Sequence, residues 1–252
     1  MRLSPSRLID DALAPAPEPE RVSWLRERPY AHRGLHGDGR AENSRSAFAA
    51  AIAAGHGVEL DVRLSRDGIA MVFHDADLDR LTGESGPVAA RTAAELSAIP
   101  VTGTADRIET LSAIVAALPA DAPLLVELKA PERRPGALCR ATLRALEGRA
   151  RRTAIMSFNP EVSHWFAGHA DYLVRGLVVS EAGRRWRGPF ERRLALWRAR
   201  PDFLAYDVRD LPSRFAAAQR ERGLALLSWT CRGDSDRAAA AAHADQIIYE
   251  TP

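Results

Sequence analysis

VELDVRLSRDGIAMVFHD, residues 58–75, sets two apolar runs on either side of SRDG, a spacing that predicts two strands joined by a tight turn. A turn that short makes an antiparallel hairpin, not a crossover. The polar residues are out of place for ordinary strands. Glu59 and Asp61 stand two apart and so point to one face. With Leu64 opposite Ile69, Val62 faces Met71 and Glu59 faces His74, which would set an imidazole beside both carboxylates.

On either side of this hairpin, short apolar runs alternate with helical patterns. The runs are PYAHR (29–33), GVELDV (57–62), PLLVELK (123–129), TAIMSF (153–158), LVRGLVV (173–179), DFLAYDV (202–208), LALLSWT (224–230) and QIIYE (246–250). Seven segments of helical spacing separate them, the first preceded by Asn43–Ser44 and followed by Gly55. Strands alternating with helices imply a parallel α/β fold, and eight strands are the number that closes a (β/α)8 TIM barrel. An open doubly wound sheet is the alternative. The hairpin and a Gly- and Pro-containing insertion, about 76–108, follow the second strand. Residues 1–28, with APAPEPE at their centre, read as an arm carrying one short helix over 5–13, ahead of a domain over 29–252.

The strand ends collect charge. PYAHR ends in His32 and Arg33, VELDV holds Glu59 and Asp61, and LLVELK holds Glu127 and Lys129. In a β/α barrel such positions converge at the mouth, where chemistry occurs. Three carboxylates about 5 Å apart repel by about 3 kcal/mol per pair at an effective dielectric near 20, so the cluster needs a cation. An all-carboxylate set suits a hard ion, Mg2+ or Ca2+. Arg33 and Lys129 beside it would hold an anion. Metal, cations and two histidines together describe a phosphate-ester site, with one imidazole removing a proton from the nucleophile and the other protonating the leaving oxygen.

Composition adds one hint. Of the 35 Lys and Arg residues, Lys129 is the single lysine. Lys is a compact point charge where Arg is a planar fork, so a lone Lys in an Arg-rich chain points to a specific role.

In order and spacing, AHRG (31–34), EN (42–43), ELDV (59–62), RDG (66–68), HDADLDRLTG (74–83) and VELK (126–129) resemble the signature of glycerophosphodiester phosphodiesterases, with SF (157–158) and SWT (228–230) matching later blocks. The resemblance implies a β/α barrel that uses a divalent cation to hydrolyse glycerophosphodiesters to an alcohol and sn-glycerol 3-phosphate. By motif, His32 and His74 are its general acid/base pair, and Glu59, Asp61 and Glu127 its metal ligands. Arg33 and Lys129 contact phosphate, Glu42 lies near the metal or the substrate hydroxyls, and Trp229 walls the glycerol. The chain has ENSR, IETL and WTCR where the family more often has ENT, an apolar-Pro-Thr-Leu run and an Asn-containing block. These differences leave the leaving alcohol open.

The alternative activity is lysophospholipase D-like hydrolysis on the same barrel. A binding protein without turnover would lack a histidine or an acid, and all are present. His36 is a further candidate for phosphate, and Asp207 and Asp210 for substrate. The Arg-rich stretch 184–200 reads as a solvated amphipathic helix, with weak contact to anionic lipid as its alternative. A net charge of +2 gives no case for nucleic acid. No apolar run is long enough to span a membrane. The N-terminus has no apolar signal region, and Cys139 and Cys231 have no metal or redox spacing, so a soluble cytoplasmic protein is expected.

Overall fold

The computed structural model describes residues 5–131, 133–149, 151–182 and 188–251. Its strands are β1 (Tyr30–Ala31), β2 (Gly57–Leu64), β3 (Ala70–Val72), β4 (Glu109–Thr110), β5 (Leu124–Leu128), β6 (Thr153–Ser157), β7 (Val174–Val179), β8 (Phe203–Asp207), β9 (Ala225–Cys231) and β10 (Gln246–Tyr249). Its helices are α1 (Pro5–Leu13), α2 (Pro19–Val22), α3 (Arg45–Ala53), α4 (Ala93–Ser97), α5 (Leu111–Ala117), α6 (Gly136–Ala145), α7 (Pro160–His169), α8 (Gly188–Ala199), α9 (Arg214–Glu221) and α10 (Asp234–His243). The sheet runs β1-β10-β9-β8-β7-β6-β5-β2-β3-β4, and β1 pairs again with β2. The eight parallel strands therefore close as a (β/α)8 barrel, while β3 and β4 extend β2 as an antiparallel flap. Every strand and every helix expected from the alternation is present.

Two compact units divide the chain: the N-terminal segment to Pro29 with Ala154–Glu250, and Tyr30–Thr153. In the first, α1 docks through Asp10. This buried carboxylate accepts from Trp197 Nε1 (2.8 Å) and Gln219 Nε2 (3.0 Å). Arg21 donates to the Leu173 carbonyl (2.7 Å).

In the second unit, β2 and β5 lie in parallel register with Asp61 beside Glu127. Ser44 caps α3 by accepting from the Ala47 N–H, and Gly55 closes it at φ 78°. The hairpin differs from expectation by one residue. Leu64 pairs with Ala70, Arg63 with Met71 and Val62 with Val72. The cause is the turn. The Ser65 N–H donates to the Ile69 carbonyl and the Ser65 hydroxyl accepts from the Ile69 N–H, leaving a three-residue loop whose last member, Gly68, has φ 80°. A one-residue slip exchanges faces, so Glu59 and His74 are not strand partners. β3 ends at Val72, and His74 follows it on irregular chain.

The insertion folds on its own small core of Met71, Phe73, Leu78, Val88, Leu96 and Ile108. A capping box at Thr92 and Glu95 starts α4.

Candidate active site

The candidate residues of the second unit meet just after β1 and along the paired strands β2 and β5. Glu59 and Asp61 share a face of β2, and the parallel register sets Glu127 beside Asp61. All three are buried, and one carboxylate oxygen from each lies within 4.8 Å of the others. Lys129, two residues after Glu127, enters the same group. Its Nζ donates to Glu127 Oε1 (2.6 Å) and sits 2.9 Å from Asp61 Oδ1.

Arg33 closes the other side. Its backbone N–H donates to Glu59 Oε2 (3.0 Å), its Nε lies 3.3 Å from Asp61 Oδ2, and its Nη1 donates to Glu42 Oε1 (2.8 Å). This geometry needs an unusual backbone, since Arg33 has φ 56°. The next residue, Gly34, has φ 81°, and a Cβ there would lie 2.8 Å from Ala47 and Phe48 of α3. The glycine in AHRG is thus required by helix packing as well as by the turn.

His32 Nε2 is 4.0 Å from Glu59 Oε2. His74 arrives from beyond the hairpin. Its Nδ1 is 2.6 Å from Asp75 Oδ1, and Arg63 Nε donates to its carbonyl. Through Asp75, Arg80 and Glu42 it is linked to Arg33 and so to the acidic group.

Burial sorts these charges. Burial, then Asp61, pushes Glu59 up to about 7. Burial also raises Glu127, against the pull of Lys129. Burial alone would raise Asp61 too, but Lys129 and Arg33 reverse it and hold this carboxyl well below the usual range. Burial lowers His74, so its imidazole stays neutral at neutral pH. Burial opposes ionisation of Asp75, but hydrogen bonds from Arg80 and His74 bring it down to about 2.

Glu59 Oε1 is buried with no hydrogen-bond partner among the described residues. An orphaned carboxylate oxygen beside two more acids is what a cation ligand looks like before the cation is counted. The donor set is all oxygen, which fits a hard divalent ion.

Two contributors carried no role in the sequence reading. Asn43, buried with φ 56°, donates from Nδ2 to Asp61 Oδ2 (2.8 Å) and accepts the Asp61 N–H on Oδ1 (3.0 Å). Asn tolerates left-handed backbone better than most residues, which is the signal its place between Glu42 and the helix cap could have given. Arg80, on the insertion, donates to both oxygens of Glu42 (2.8 and 2.7 Å).

Trp229 lies in the other unit, on β9. Its Nε1 donates to the Ala205 carbonyl (3.0 Å), and its ring meets Phe158 edge-on at 5.5 Å. Asp207 there accepts from Arg209, and Asp210 accepts the Glu181 N–H. Of the Arg-rich stretch 184–200, residues 184–187, including Trp186, lie outside the described residues. Farther along, Arg192 pairs with Glu181 (3.1 Å) and Arg198 with Glu161 (2.7 Å). Among the described residues no helix is long and apolar enough to cross a membrane.

The model of the glycerophosphoryl diester phosphodiesterase family matches residues 32–252. A glycerophosphodiester phosphodiesterase of Bacillus altitudinis is 44% identical over 68 residues, 27% of each chain. The chain spans less than half the length of the curated relatives it matches. The crystal structure of a Thermotoga maritima glycerophosphodiester phosphodiesterase superposes with a TM-score of 0.70 at 27% identity, over 87% of this chain and 92% of that one. An Oleispira antarctica phosphodiesterase in complex with the product sn-glycerol-3-phosphate superposes with a TM-score of 0.75 at 22% identity, over 90% and 94%, a likeness of fold.

Proposed function

The chain belongs to the glycerophosphoryl diester phosphodiesterase family, and from that membership and the geometry of its second unit we propose that it hydrolyses glycerophosphodiesters to an alcohol and sn-glycerol 3-phosphate. The observation that carries the reading is the meeting of Glu59, Asp61 and Glu127 within 4.8 Å, flanked by cations and by two histidines. We assign the activity to residues 29–252, with 1–28 as the arm and 76–108 as the insertion. The two buried free cysteines fit a reducing, cytoplasmic setting.

Glu59, Asp61 and Glu127 would hold one Mg2+ or Ca2+. Bound there, such an ion supplies Lewis-acid stabilisation of charge on phosphoryl oxygens. The rest falls to side chains. Lys129 and Arg33 attract the phosphodiester, and the Arg33 fork suits two phosphate oxygens. Glu42 holds that fork in place through its 2.8 Å bond. His32 and His74 divide two proton transfers, one from the attacking oxygen and one to the leaving oxygen. An ionised Asp75 can only accept, so the ring proton of neutral His74 sits on Nδ1 and Nε2 keeps its lone pair. In that resting form His74 takes the accepting role.

A second reading, lysophospholipid hydrolysis, draws on exposed Phe190 and Leu194 on α8, apolar groups that would suit weak contact of 184–200 with anionic lipid. One experiment separates the readings. A panel of glycerophosphodiesters and long-chain lysophospholipids is incubated with and without Mg2+ or Ca2+, and the products are identified. Release of choline and sn-glycerol 3-phosphate from glycerophosphocholine supports the first reading. Turnover of lysophospholipids alone transfers the assignment to the second, and no turnover of either rejects both.

A further inference from the structure

Arg80 is one arginine among many in this chain, and neither the acid/base pair nor the acidic cluster includes it. It stands on the insertion between Leu78, fully buried in the small core, and Leu81, packed against that core. Its guanidinium, about half exposed, turns to the site. Both terminal nitrogens donate to Glu42, at 2.8 and 2.7 Å, and Nε donates to Asp75 Oδ2. Asp75 Oδ1 faces His74 Nδ1 at 2.6 Å. Glu42 Oε1 also accepts from Arg33 Nη1, and Arg33 Nε lies 3.3 Å from Asp61. The result is an unbroken line of alternating groups: His74, Asp75, Arg80, Glu42, Arg33, Asp61.

We propose that Arg80 is a positioning residue for the hydrolytic reaction, holding Asp75 and Glu42 together so that the ring of His74 and the fork of Arg33 keep fixed places around the acidic cluster. The proposal rests on the phosphodiesterase reading above. A guanidinium suits the task because its planar fork can grip two carboxylates at once, where an ammonium is a single point charge. Asp75 faces both Arg80 and His74 at hydrogen-bond distance, and Glu42 accepts from both Arg80 and Arg33. Removing Arg80 frees one side of each acid, and with it the orientation of the two groups they hold. Misplacement of a reacting group by about 1 Å can cost about 10²-fold in rate. The arrangement also gives the insertion a purpose, since its core fixes the backbone from which Arg80 reaches.

The test compares wild type, Arg80→Ala, Arg80→Lys and Arg91→Ala. Arg91 pairs with Glu84 on the same insertion (3.1 Å) and, among the described residues, stands outside the line, so it controls for the loss of one exposed ion pair. Steady-state hydrolysis of glycerophosphocholine and 15N NMR of the His74 imidazole are measured on each. Arg80→Ala should lower kcat about 10²-fold, should raise KM by a smaller factor through the loosened Arg33 fork, and should shift the His74 signals away from a single Nδ1–H tautomer. Arg80→Lys should recover part of both, and Arg91→Ala should match wild type. Should Arg80→Ala fail to fold, Arg80→Gln, which keeps the stem and donors, is read by the same measurements. A wild-type kcat and unchanged His74 signals in the Arg80 variant would overturn the proposal, as would an equal fall in Arg91→Ala. Absence of hydrolysis by wild type would reject the phosphodiesterase reading instead, and the NMR comparison would still decide whether Arg80 holds His74.

Discussion

Lys129→Met exchanges a partly buried ammonium for an apolar side chain of similar length. Nζ lies 2.6 Å from Glu127 and 2.9 Å from Asp61, with 15% of the side chain exposed. At an effective dielectric near 20 the two contacts are worth about 6 kcal/mol each. The three carboxylates, within 4.8 Å of one another, repel by about 3.5 kcal/mol per pair, or about 10 kcal/mol in total. Attraction and repulsion thus nearly cancel while Lys129 is present. Without it, protonation of Glu59 relieves part of the excess, because burial and Asp61 already push this group up to about 7. Removing one partner from a buried charged group costs about 3–5 kcal/mol, and that is the loss expected in EDTA. A divalent cation neutralises the same acids, so Mg2+ or Ca2+ should shrink the loss by about half or more. Urea unfolding followed by tryptophan fluorescence measures both, as a shift in midpoint at unchanged slope. A loss under about 1 kcal/mol in EDTA, or one that metal leaves unchanged, would refute the balance of charges worked out above.

Other consequences are open to direct measurement. His32→Ala and His74→Ala should each lower kcat by about 10²–10⁴-fold, and a near-normal rate in either removes that residue from the proton transfers. Lys129→Arg keeps the charge but puts a planar fork where a compact ammonium fits, so activity should fall sharply; a silent variant would show that charge alone suffices. Without metal, stability should fall as pH rises from about 5 to 8. The folded state binds the Glu59 proton more tightly than the unfolded chain, so the proton is lost at a cost in this window, about 3 kcal/mol for a move from the ordinary value to about 7. Glu59→Gln should show a shallower slope, the remainder coming from Glu127, which burial raises as well, and an identical pH curve in the variant would contradict the assignment.

The barrel was legible because its eight inner strands are short apolar runs between well-marked helices, as TAIMSF and LVRGLVV illustrate. Glu59, Asp61, Glu127 and Lys129 were legible because charge inside such runs violates the pattern. The hairpin register was not. It depends on whether SRDG closes as a three- or four-residue loop, and the Ser65–Ile69 pairing that decides this involves the serine's own hydroxyl. Arg80 was hidden for a compositional reason. In a chain where arginine serves almost every basic position, an arginine with a specific place looks like all the others, whereas the single lysine does not. Asp10 escaped notice because burial of a carboxylate on a helix whose Leu8 and Ile9 face outward reverses the usual pattern. Its partners, Trp197 and Gln219, lie nearly two hundred residues away or more along the chain.

Calorimetric titration of Mg2+ and of Ca2+ into EDTA-stripped protein tests most directly whether three acids from β2 and β5 hold one hard cation. A single site per chain is expected for at least one of the two ions, abolished in Asp61→Asn and in Glu127→Gln. Binding that survives both substitutions, or no binding to the wild-type chain, would contradict it.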